Sequence, residues 1–69
     1  MPDLSYRIET EQETDGRWIA EIADLPGVMA YGQTKEEAIA VVEALALRVI
    51  ADQIEERKAG TNSVSFACA

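Results

Sequence analysis

A chain of 69 residues with 48% apolar and 28% charged side chains has the balance of one folded domain, residues 1–69, and not that of a disordered segment. At this length only about 60% of the unfolded chain's surface is buried on folding, so the core is thin and a deep cleft between two domains is excluded. Six basic against thirteen acidic residues leave a net charge of −7, which disfavours direct nucleic-acid binding and suits a basic partner.

Residues 4–11 alternate, with Tyr6, Ile8 and Thr10 in phase and Arg7, Glu9 and Glu11 out of phase, as in a strand with one buried face. Asp15-Gly16 predicts a hairpin turn, because Gly supplies the positive φ that tight turns need. A second strand follows from Arg17 to Ile22, with Trp18, Ala20 and Ile22 on one face and Ile19 and Glu21 on the other. Asp24-Leu25-Pro26-Gly27 reads as a turn, and Val28 to Tyr31 as a short third strand ended by Gly32.

Thr34-Lys-Glu-Glu37 is a capping box, in which the Thr34 hydroxyl accepts from the Glu37 amide and the Glu37 carboxylate reaches back to the Thr34 amide. It predicts a helix from Lys35 to about Lys58, roughly 36 Å long, with Gly60 as its C-cap. Ala38, Val42, Leu45 and Val49, flanked by Ile39 and Ala46, form the expected core stripe. Leu47, Ile50, Ala51 and Ile54 form a second apolar stripe at helical spacing. One helix on one small sheet covers only one stripe, so the second is expected to be an oligomer or partner interface. After Gly60, Ser63 to Ala67 alternates again, with Val64 and Phe66 inward. The expected fold is α+β, in the order β-β-β-α-β: an antiparallel three-stranded core sheet plus a final short strand, with one long helix packed on one face.

The chain has no histidine, hence neither the commonest general base nor the commonest metal ligand. No activated nucleophile, phosphate-binding glycine loop or metal-spaced Cys/His cluster can be assembled, so no catalytic, cofactor-binding or metal site is expected. The single cysteine, Cys68, cannot form an internal disulfide. No apolar run approaches the roughly 20 residues of a membrane span, and Met-Pro-Asp-Leu-Ser is no signal peptide. A cytoplasmic location is expected. Glu9, Glu11, Glu13 and Asp15 stand at every second position and form a solvated acidic edge. Trp18 is expected in the core. An exposed Leu25 before the rigid Pro26-Gly27 corner, with Asp24 and Tyr31 nearby, is a candidate partner anchor.

Asp15 to Ala38, with its Asp-Gly turn, aromatic strand, Leu25-Pro-Gly27 and Gly32-Gln-Thr-Lys-Glu-Glu-Ala38 helix opening, resembles the HicB antitoxin family. The flanking residues are compatible over nearly the whole chain. The resemblance implies a partial RNase H-like fold and a non-enzymatic role: binding a small, basic, HicA-type mRNA-cleaving toxin of double-stranded-RNA-binding-domain fold and masking its active site. The family often has Pro where Ala23 stands, which should only loosen the turn. Many members also carry a C-terminal DNA-binding domain, for which this chain shows no segment, so autoregulation through such a domain is not expected. On this basis Glu9, Glu11, Glu13, Asp24, Leu25, Pro26 and Tyr31 are the partner-binding candidates, and Leu47, Ile50, Ala51 and Ile54 the candidates for a homo-oligomer or partner interface. The alternative is an oligomeric adaptor of the same fold with a different protein partner.

Overall fold

The computed structural model describes all residues from Met1 to Ala69. Its elements are β1 (Asp3–Gln12), β2 (Trp18–Glu21), β3 (Met29–Gly32), α1 (Lys35–Arg57) and β4 (Ser63–Cys68). The fold is α+β in the expected β-β-β-α-β order. The four strands form one mixed sheet in the order β3-β2-β1-β4.

β1 is shared between two neighbours along its length. Glu9 to Gln12 pair antiparallel with β2, whereas Asp3 to Ile8 pair parallel with β4. The sheet is therefore staggered, and the molecule is elongated, 42 × 19 × 16 Å. Backbone bonds close both ends of the parallel pair: the Asn62 amide donates to the Pro2 carbonyl at 2.8 Å, and the Ala69 amide to the Ile8 carbonyl at 2.9 Å.

Two turns set the antiparallel registers. In the first, the Gly16 amide donates to the Glu13 carbonyl at 3.0 Å and the Glu13 amide to the Arg17 carbonyl at 2.7 Å. Gly16 has φ +92°, as the last residue of a three-residue hairpin loop requires. In the second, Leu25 to Val28 form a turn closed by the Val28 amide on the Leu25 carbonyl at 3.0 Å. Pro26 sits at its second position and Gly27, at φ +82°, at its third, the type II arrangement.

Thr34 caps the helix as expected, its Oγ1 accepting from the Glu37 amide at 3.0 Å. The return bond differs by one residue: Glu37 Oε1 accepts from the Gln33 amide at 3.0 Å. The C-terminus also differs. The left-handed cap is Lys58, at φ 54° and ψ 34°, with its amide on the Ile54 carbonyl, and not Gly60. The helix ends at Arg57, and its left-handed cap stands two positions before Gly60. It is not long and apolar enough to cross a membrane.

The core is small, with eleven of the 69 residues buried. Ile8, Ala20, Ile22, Val28 and Ala30 from the strands and turn meet Ala38, Val42 and Ala46 from the helix, with Trp18, Ile39, Leu45 and Val49 packed around them. No side-chain N or O atom is left buried without a hydrogen-bond partner. Gly32 is buried for a steric reason. A Cβ there would come within 2.5 Å of the Ala38 backbone nitrogen, so the missing side chain lets the helix N-terminus rest directly on β3.

Candidate functional site

Strand alternation assigns the two faces of the sheet. Ile8, Ala20 and Ala30 are buried toward the helix, so the odd-numbered residues of β1, β2 and β3 share the open face. The registers lay these out in two rows. Glu9 lies opposite Glu21, which lies opposite Met29; Glu11 lies opposite Ile19, which lies opposite Tyr31. A shallow concavity of about 210 Å³, lined by Glu9, Thr10, Glu11, Glu13, Ile19 and Glu21, occupies the acidic half. Met29 and the 48%-exposed Tyr31 border it on the β3 side.

The electrostatics of this face are one-sided. Like charges directly opposite across an antiparallel pair destabilise it, and Glu9 and Glu21 stand in that relation. Neither forms an ion pair, and the nearest cation along the face is Arg7, two positions before Glu9 on β1. The one ion pair of the molecule joins Arg17 Nε to Asp15 Oδ2 at 2.8 Å at the hairpin tip. The Arg17 backbone amide also donates to Asp15 Oδ1 at 3.0 Å. These contacts, the backbone bond first, hold the Asp15 carboxyl below its ordinary pKa. The Arg17 guanidinium lies 4.7 Å from the centre of the Tyr31 ring, fixing that ring by a cation–π contact. Nowhere do three carboxylate or thiol groups converge so that they could hold a metal ion.

The sequence-predicted residues divide. Glu9, Glu11, Glu13 and Tyr31 fall in or beside the open face. Asp15 is turned away to Arg17, because β1 ends at Gln12 and alternation stops in the hairpin loop. Asp24 and Pro26 are exposed on the β2–β3 turn, but Leu25 is only 6% exposed and belongs to the core. The turn folds its side chain inward, into the same core cluster as Ile22 and Val28, so it cannot anchor a partner in this conformation.

The second helical stripe also needs correction. Leu47 is 48% exposed and Ala51 is exposed, but Ile50 is 3% exposed and Ile54 half-buried. The buried positions run Ala38, Val42, Ala46, Ile50. Each four-residue step turns the stripe about 40° around the helix, so over a long helix on a twisted sheet the buried face drifts and takes in Ile50. Val41, 46% exposed, was not singled out from the sequence. Glu21 and Met29 were also missed as site residues. Glu21 was recoverable: a hairpin centred on Asp15 pairs residues whose numbers have a constant sum, which sets Glu21 against Glu9.

Compared with known protein families, with characterised proteins and with solved structures, the chain has no match.

Proposed function

We propose that this chain is a HicB-like antitoxin, a protein that binds a small, basic, mRNA-cleaving toxin and covers its RNA-binding surface. The observation that carries this reading is the acidic half of the open sheet face, where Glu9, Glu11, Glu13 and Glu21 line one concavity with Ile19 and form no ion pair. Folding does not require these charges there, and the cross-strand Glu9–Glu21 pair acts against it. A basic protein supplies the missing counter-charge. Clustered carboxylates on one face steer its approach and compete with RNA phosphates for its Lys and Arg side chains. Ile19, Met29 and Tyr31 provide apolar surface beside the charges, the composition of an interface core with a polar rim. Occlusion needs no chemistry from this chain, and the sheet face offers no nucleophile with a base.

The test is co-expression with a small basic protein of the HicA type, sought beside the gene for this chain. That protein alone should arrest growth, and this chain should relieve the arrest and co-purify with it. A Glu9→Lys, Glu21→Lys double variant with unchanged circular dichroism should lose both effects. Absence of a complex, or relief that survives the double charge reversal, would refute the proposal.

A further inference from the structure

The far end of the molecule, where β1 meets β4, is built differently from the rest. Over Asp3–Ile8 the paired neighbour of β1 is β4, while β2 pairs only with Glu9–Gln12. This end is a two-stranded parallel ribbon. Two strands alone are marginal in water, and parallel pairs normally lie covered. Here the cover is partial. Leu4, Tyr6, Val64 and Phe66 are all half-buried, with Tyr6 and Phe66 stacked at 6.1 Å. Between this ribbon and the end of α1 lies a cleft of about 270 Å³ bordered by Leu4, Tyr6, Ile50 and Ile54 together with Gln53 and Arg57.

β4 is also the outer strand of the sheet. Protein edges are usually guarded by charged side chains, proline or a bulge. Residues 59–69 contain no charged side chain and no proline; all thirteen acidic and six basic residues precede them.

We propose that β4 pairs antiparallel with β4 of a second copy of this chain. Charge selects that occupant. A partner attracted by the −7 charge finds no charged side chain on β4 itself, where the adjoining Asp3 carboxylate of β1 is already bonded to Asn62 and Ser63, whereas two equally acidic copies repel each other least along this edge. Symmetry supports it too. Antiparallel pairing of identical edges follows a two-fold axis perpendicular to the sheet. That axis extends the sheet to twice its strands, sets both helices on one side with the two clefts, and leaves both acidic faces open on the other side. The proposal is independent of the toxin reading, and salt separates the two. Screening tightens the association of like-charged copies and loosens a complex held by opposite charges.

Sedimentation equilibrium of the full chain tests it. The mass should rise from 7.5 kDa to twice that value at high micromolar concentration, with a dissociation constant that falls as sodium chloride is raised. Ser65 is exposed in the middle of β4. Ser65→Glu and Ser65→Lys should each be monomeric, and an equimolar mixture should recover the dimer, which a misfolded variant would not do. If circular dichroism shows either variant unfolded, wild-type hydrogen exchange decides: the β4 amides should exchange more slowly as protein concentration rises. The proposal is overturned by a wild type that stays monomeric, by a dimer that withstands both Ser65 variants but dissociates on Leu47→Glu, or by β4 exchange indifferent to concentration.

Discussion

Gly32 shows how one missing side chain positions an element. Its value lies in the close approach of the Ala38 backbone, not in an unusual dihedral angle. A Gly32→Ala variant forces the helix N-terminus off β3, and overpacking of this kind costs about 1–3 kcal/mol, a large part of the stability of so small a domain. Urea denaturation should show the midpoint falling by the corresponding amount. The sequence alone did not distinguish this role, since Gly32 follows a strand and precedes a cap, where a turn glycine is equally at home. Asp3 acts through charge. Its Oδ1 accepts from Asn62 Nδ2 and Ser63 Oγ, each at 2.8 Å, and these bonds, that to Asn62 first, hold its pKa below the ordinary 3.8. A depressed folded-state pKa means a stabilising contribution that is complete above the unfolded value and lost as pH falls through the folded one. Asp3→Asn keeps an acceptor oxygen but cannot titrate there, so its acid unfolding curve should lose part of the wild-type slope in the acid range where this carboxyl takes up its proton.

The helix was legible at its start and not at its end. Thr34 and Glu37 announce the N-terminus because side-chain caps are written in residue type. Gly60 invited the opposite error: the chain leaves the helix at Lys58 in a left-handed conformation that a residue with a Cβ adopts at a cost of roughly 1 kcal/mol. Lys58→Gly should therefore raise stability by up to about 1 kcal/mol, read as an increase in melting temperature with helicity unchanged. The Leu25 and Ile50 errors have a common cause. Periodicity assigns a residue to a face, but how far that face is covered depends on a turn folding inward and on a sheet twisting under a long helix, and neither is local. The strands fared better, because two-residue alternation and two glycine turns fix face and register together.

At the scale of the molecule, the sheet has one face covered by the helix and one left open, and the open face concentrates carboxylates that form no ion pair. Stability and binding should then respond oppositely to the same substitution. Glu21→Lys replaces a repulsive cross-strand pair with an attractive one opposite Glu9, which should stabilise the free protein by about 0.2–1 kcal/mol while weakening the complex with a basic partner. Composition had already pointed to a basic partner, but only the strand registers show the carboxylates gathered around Ile19 beside Met29 and Tyr31. The most direct measurement of the central claim is a calorimetric titration of the wild type and of Glu9→Lys, Glu21→Lys with a small basic HicA-type protein sought beside the gene, at low and high salt. The account predicts tight wild-type binding that weakens steeply with salt, and a double variant with at least tenfold weaker binding and a shallower salt dependence. Equal affinities for the two proteins, or wild-type binding indifferent to salt, would contradict it.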